Sequence, residues 1–175
     1  EDQPRYTVSI PFIRQMAGPM DYTPGAMRNA TEAYYHPNNS MPMSMGTRCH
    51  QLAMYVIHEA PFQMLADNPT IYRKEQECTD FIAKIPTVTD QTVALDGKVG
   101  EYAAIARQKD GVWYVGAMTN WTARELTIDF GFLEKGKYTA EVFRDGINAH
   151  RDATDYKKEI IEISANDKIT IKMAP

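Results

Sequence analysis

Residues 47–59 are the part of this chain that is hardest to leave in water. The run reads Thr47-Arg48-Cys49-His50-Gln51-Leu52-Ala53-Met54-Tyr55-Val56-Ile57-His58-Glu59. Thr47 stands where a helix N-cap belongs, and apolar residues then recur at helical spacing. Leu52, Tyr55, Val56 and Glu59 share one face, and Cys49, Ala53, Val56 and Ile57 overlap it. A helix this poor in charge must be covered on most sides, by a sheet or by other helices. The rest of residues 1–86 offers little cover, being rich in proline, methionine and turn residues. The helix is therefore expected to come from a larger α/β body.

Composition narrows the possibilities. A chain of 175 residues with 43% hydrophobic and 24% charged residues suits a globular fold. Its net charge of -4, with lysines and arginines scattered, argues against nucleic acid as a partner. No apolar run reaches the length of a membrane span. Two cysteines make no disulfide framework. The first residue is Glu1, and no signal peptide precedes it, as expected of a processed protein or of a segment of a longer one.

Along the chain, residues 11–19 predict a short helix stopped by Gly18-Pro19, and Met20-Asp21-Tyr22 a short extended piece before the turn Thr23-Pro24-Gly25. Residues 28–45 predict loop. A second helix is expected over residues 72–82, with Pro86 closing it. Beyond Thr87 the pattern changes to period two. Residues 92–95 precede Asp96-Gly97, and residues 101–107 and 112–119 flank Asp110-Gly111, the strongest hairpin signal in the chain. Leu126, Ile128 and Phe130 face one way. Tyr138, Ala140 and Val142, then Ile169 and Ile171, repeat the alternation. Such strands predict an antiparallel all-β sandwich over residues 87–175.

Several ordered runs carry a family resemblance. Residues 11–25 (Pro11-Phe12-Ile13-Arg14-Gln15-Met16-Ala17-Gly18-Pro19 and Met20-Asp21-Tyr22-Thr23-Pro24-Gly25) are similar to the closing part of the catalytic barrel in glycoside hydrolase family 97. Residues 46–56 resemble that family's last barrel helix. Residues 63–67 and 77–83 resemble its linker. Asp96-Gly97-Lys98, Trp113-Tyr114-Val115-Gly116 and Phe143-Arg144-Asp145-Gly146-Ile147-Asn148-Ala149 resemble its sandwich. The resemblance implies a mixed fold: residues 1–67 as the last strand and helix of a (β/α)8 barrel, residues 68–86 as a linker helix, and residues 87–175 as a C-terminal β-sandwich. It implies a parent enzyme that hydrolyses α-glucosides or α-galactosides, needs calcium, and is periplasmic or secreted in a Bacteroidetes-type bacterium. It also implies that the catalytic and calcium-binding carboxylates lie upstream, with none expected here, and that the sandwich takes part in homo-oligomer contacts. The alternative is a free-standing, non-catalytic β-sandwich that binds carbohydrate or plays a structural part.

Asp21 and Tyr22 are the candidate substrate-binding residues, because the C-terminal end of a barrel strand faces the active site. The competing reading is a loop aspartate bonded to its own turn. A glycosidase needs two carboxyl groups flanking one bond, and Glu32, Glu59, Glu75, Glu77 and Asp80 offer no defensible pair. His50 and His58 fall eight apart on one helix face with Met54 between them, a poor zinc spacing, so packing is the expected role. Cys49 and Cys78 are expected to be free thiols. Trp113, Tyr114, Trp121, Tyr138 and Phe143 would make either a sugar-stacking platform or, as is commoner, a core. Asn29 and Asn120 open glycosylation sequons, which a bacterial source would leave idle.

Overall fold

The computed structural model describes residues 3–175. The fold is mostly β, with few helices. Helix α1 spans Gln3–Ser9, and a 3-10 turn follows at Arg14–Ala17. The helix expected over residues 11–19 is thus only this turn, and the real helix lies just before it. Gly18 ends the turn at φ 109, as the Gly-Pro signal predicts. The extended piece at Tyr22 forms a single parallel bridge with Gln63. Strands β1 (Asn29–Ala30) and β2 (Ser44–Met45) pair in parallel inside the stretch expected to be loop.

Helix α2 covers Arg48–Ile57, and its N-cap is the expected one, Thr47 Oγ1 accepting from the His50 amide. The expected linker helix is broken in two, α3 (Pro69–Lys74) and α4 (Gln76–Ile82). The break is at Glu75, whose backbone leaves helical geometry while its carboxylate binds Arg48 at 2.8 Å.

Seven strands make the sandwich: β3 (Gln91–Lys98), β4 (Tyr102–Lys109), β5 (Val112–Thr119), β6 (Arg124–Asp129), β7 (Lys137–Asp145), β8 (Tyr156–Ser164) and β9 (Lys168–Met173). One antiparallel sheet runs β3-β4-β5, facing the antiparallel pairs β6-β9 and β7-β8. The Asp110-Gly111 turn falls where expected, with φ 48 and 81, the left-handed pair of a two-residue hairpin. Asp96-Gly97, by contrast, lies within β3 behind a bulge at Leu95. Gly97 is needed there for space, since a Cβ would come 2.5 Å from the Phe12 ring. Between the sheets, Leu126, Ile128, Phe130, Leu133, Ile163 and Met173 form the sandwich core, with Trp113 and Tyr138 packed on it.

The other face of β4 and β5 carries helix α2. Met54 and Ile57 pack with Ala103, Met118 and the Val8 side chain of α1. Leu52 and Tyr55 pack with Tyr72, Cys78 and Ile82 of the α3–α4 unit. Each such aliphatic side chain contributes roughly 1.5–3 kcal/mol by leaving water. At the closest approach a Cβ on Gly116 would lie 2.9 Å from the Ala53 carbonyl oxygen and the Ile57 Cγ1. The cover that the helix demands is therefore supplied by this chain's own sandwich and short helices. The expectation that α2 lacks partners within the chain is corrected on this point.

The first 65 residues do leave apolar surface open. Tyr6, Ile13, Met16, Tyr34, Met41, Phe62, Met64 and Leu65 are all exposed, Met16 by 83%.

Candidate functional site

The polar chemistry of this chain concentrates where α1, α2 and the loop at residues 20–29 meet the sandwich. The sandwich satisfies both ends of α2. At the N-terminus the Arg48 amide donates to the Ala153 carbonyl at 2.7 Å. At the C-terminus Arg107 of β4 donates from Nε to the Val56 carbonyl at 2.6 Å and from Nη2 to the Ile57 carbonyl at 3.0 Å. A third bond reaches Thr92 Oγ1 at 2.9 Å. Helix carbonyls in the last turn have no intrahelical partner, and a cation there also complements the helix dipole.

Arg48 is a second hub. It bonds Asn29 Oδ1 at 3.2 Å, the Glu75 carboxylate and the Met27 carbonyl, and lies over the Tyr156 ring at 5.8 Å. Gln51 Oε1 accepts from the amides of Gly25 and Ala26 at 3.0 and 3.3 Å. Asp67 accepts from the Met27 amide at 2.6 Å. Tyr55 and Tyr72 donate to the Pro24 and Gly25 carbonyls. The loop after Tyr22 is thus fastened residue by residue to α2 and α3.

Asp21 is exposed. Tyr22 is half-buried, its hydroxyl donating to Met54 Sδ at 3.3 Å and its ring edge-on to His58 at 4.5 Å. Burial pushes its phenol well above the ordinary range, with the nearby Tyr6 adding to the effect. Tyr22 borders a cavity of about 220 Å³ that Thr7, His50, Gln51 and Asp67 also line; Asp21 is not part of that lining.

The two helix histidines straddle Thr7 of α1. His50 Nε2 is 2.8 Å from Thr7 Oγ1, and His58 Nε2 is 3.0 Å from the Thr7 carbonyl. Burial lowers both imidazoles to about 4, helped at His50 by its neighbour His58 and at His58 by Arg107. They are internal packing groups, and the described residues contain no cluster fit for a metal ion. Cys49 and Cys78 are free thiols. Cys49 lies beside Asp145, whose carboxyl burial raises.

Among the candidate acids, Glu75 binds Arg48, Glu77 accepts from the Tyr156 hydroxyl at 2.7 Å, and Asp80 accepts from Gln76 at 2.7 Å. Glu59 is exposed and 4.0 Å from Arg107, and Glu32 is exposed. Of the candidate aromatics, Trp113 and Tyr138 pack on the sandwich core and Phe143 on the helical one, while Tyr114 and Trp121 belong to neither. Trp113 stacks against Phe132 at 4.8 Å, and Phe143 against Phe81 at 4.4 Å. A second cavity, of about 820 Å³, opens between β5 and β7.

Arg107 and Arg48 are the residues that sequence reasoning missed. The signal for Arg107 was a single charge among alanines in Ala103-Ala104-Ile105-Ala106-Arg107. A lone arginine so placed calls for a carbonyl partner across the sheet face.

With this geometry in place the comparisons are direct. Residues 88–175 match the family model for the C-terminal domain of glycosyl hydrolase 97, described as an oligomerisation domain. The chain belongs to glycoside hydrolase family 97. It is 55% identical over 174 residues to a retaining alpha-galactosidase of Bacteroides thetaiotaomicron, matching 99% of this chain and 26% of that protein. A probable retaining alpha-galactosidase of Streptomyces bingchenggensis is 27% identical over 142 residues, which is 81% of this chain and 21% of the relative. Among solved structures, a family 97 enzyme from a Pseudoalteromonas species, in complex with panose, superposes at a TM-score of 0.86 with 33% identity. That match covers 98% of this chain and 27% of the other. The chain spans about a quarter of the length of these relatives and corresponds to their C-terminal portion.

Proposed function

We propose that this chain is the C-terminal part of an exo-acting, retaining α-galactosidase. The 55% identity to an enzyme of that name, against 33% to the panose-bound structure, favours galactoside over glucoside. Residues 1–67 complete a (β/α)8 catalytic barrel built by upstream sequence, residues 68–86 link, and residues 87–175 brace the barrel and join copies of the enzyme. The observation that carries this reading is the apolar surface of the first 65 residues. Tyr6, Ile13, Met16, Tyr34, Met41, Phe62, Met64 and Leu65 stand open while most of the neighbouring helix α2 is buried. So many exposed apolar groups within one short segment mark an interaction surface. The barrel is the partner that the family supplies.

In the intact enzyme one carboxylate attacks the anomeric carbon and a carboxylic acid protonates the departing oxygen, then deprotonates the water that releases the sugar. Both groups belong to the upstream part, as does the calcium site. Asp21 and the Tyr22 loop lie on the substrate side. The enzyme works in the periplasm or outside the cell, where oligosaccharides arrive.

The test is complementation. The 175-residue chain alone gives no hydrolysis of an aryl α-galactoside. Mixing or co-expressing it with the upstream part of the enzyme restores turnover, whereas the upstream part alone is inactive. Hydrolysis by this chain alone, or full activity without it, would overturn the reading.

A further inference from the structure

A helix that carries the chain from one strand to a parallel neighbour is the unit that α/β barrels repeat. Helix α2 is such a crossover. Ahead of it the chain runs Met20-Asp21-Tyr22-Thr23-Pro24, and behind it Phe62-Gln63-Met64-Leu65-Ala66. Tyr22 and Gln63 form the parallel bridge. The Met64 amide donates to the Tyr22 carbonyl at 3.3 Å and the Ala66 amide to the Pro24 carbonyl at 3.0 Å, so the parallel register continues beyond the bridge. At the other end the Met20 amide donates to the Glu59 carbonyl at 3.1 Å, just past the last turn of α2.

The bridged pair faces the helix. The Tyr22 hydroxyl reaches Met54 Sδ and its ring meets His58, while Gln63 Nε2 donates to the Tyr55 carbonyl at 3.2 Å. Side chains alternate along an extended chain, so the residues flanking the pair belong to the opposite face. Those residues, Asp21, Thr23, Phe62 and Met64, are all exposed, Phe62 by 67% and Met64 by 43%. Among the described residues, neither the Asp21 carboxylate nor the Thr23 hydroxyl makes a hydrogen bond. Thr23 stands at the rim of the 220 Å³ cavity, which Ala66 and Asp67 at the end of the second segment also line.

We infer that the chain supplies two adjacent strands of the barrel wall, residues 20–24 and 62–66, and that Thr23 and Met64, side by side at their C-terminal ends, contact the sugar. The inference rests on the barrel of the proposed function and goes beyond it by naming a second strand and the contact residues. In a barrel the helices lie outside the strands, the face turned from them fills the lumen, and the reaction takes place at the C-terminal ends. Tyr22 and Gln63 occupy the helix side, which leaves Asp21, Thr23, Phe62 and Met64 for the lumen. Asp21 and Phe62 lie one layer deeper. At the mouth Thr23 offers a free hydroxyl to a sugar hydroxyl, and Met64 a pliable apolar side chain to the C–H face of the ring.

The test uses the intact enzyme. Thr23→Val is expected to lower kcat/KM for an aryl α-galactoside by about five- to tenfold, and Thr23→Ser to stay within about twofold of wild type. On a series of monodeoxy aryl α-galactosides the Thr23→Val deficit is expected to vanish for the one sugar that lacks the partner hydroxyl and to persist for the others, a pattern that a loss of folding does not produce. In Met64→Cys, galactose is expected to slow alkylation at position 64 by iodoacetamide severalfold. In Ile147→Cys, on a sandwich loop residue that is 90% exposed, galactose is expected to leave alkylation at position 147 unchanged. Wild-type kinetics in Thr23→Val, an equal deficit on every deoxy sugar, or no protection by galactose at position 64 would overturn this inference and leave the barrel reading standing. An intact enzyme inert towards α-galactosides would overturn the reading beneath it.

Discussion

Acid is expected to undo the seam between α1 and α2, at a pH set by two histidines. His50 and His58 are buried and titrate near 4 in the folded chain, against about 6.5 when unfolded. A lowered imidazole pKa means that the unfolded chain takes up the proton first. Stability is therefore complete above about pH 6.5 and falls as the pH drops from 6.5 towards 4. At pH 5 an unfolded histidine is almost fully protonated and a folded one barely at all. Each histidine then costs about 2 kcal/mol, and the pair about 4 kcal/mol. Asp145 works in the opposite sense, because burial raises its carboxyl and a raised carboxyl gains stability as the pH falls. The contrast between variants isolates the histidines. Urea unfolding followed by circular dichroism at pH 7.5, 6 and 5 gives the slope, which is expected to drop by about half in His58→Gln. In the double variant His50→Gln, His58→Gln it should nearly vanish over this range. A wild-type slope close to zero between pH 6.5 and 5, or an unchanged slope in the double variant, would refute the argument.

Three further outcomes follow, two from the packing of α2 and one from the β4–β5 hairpin turn. Replacing Arg107 by Leu removes the cap on the Val56 and Ile57 carbonyls and is expected to cost about 2–4 kcal/mol in urea unfolding. Gly116→Val pushes β5 off the Ala53 carbonyl and the Ile57 side chain; a loss of about 1–3 kcal/mol is expected by the same measurement. Gly111→Ala places a Cβ at φ 81 in the hairpin turn, with a cost of about 1 kcal/mol read as a fall in melting temperature.

The strands were legible because each has one buried face. Leu126, Ile128 and Phe130 alternate with exposed neighbours along β6 and beyond it, and a period of two survives any tertiary context that keeps one face wet. The Asp110-Gly111 turn was legible because few sequences tolerate two left-handed residues in succession. Helix α2 and its Thr47 cap were legible for the corresponding helical reason. What covers α2 was not. The covering residues, Ala103, Ile105 and Met118, lie on the second face of strands that read as having one core side only. An alanine at 103 and a glycine at 116 are weak hydrophobic signals, yet small residues are what a close helix-on-sheet contact selects. The candidate site was legible only in part. Tyr22 was singled out, but its partner Met54 and its neighbour His58 come from a helix thirty or so residues on, and no local pattern encodes that distance.

Covering α2 by the sandwich changes what the two halves of the chain are to each other. With Arg107 capping one end of the helix, Ala153 the other, and Gly116 giving room along its side, α2 belongs mechanically to the β-domain as much as to the segment that precedes it. A boundary drawn in the linker at residues 68–86 would cut the chain where it is continuous in sequence but would leave this contact intact in space. The sandwich cannot then swing as a separate domain without exposing Met54 and Ile57 and releasing two helix carbonyls, each an unfavourable step of the order of 1–3 kcal/mol. A brace is what such rigidity provides: the sandwich holds α2, and with it the loop after Tyr22, in one orientation.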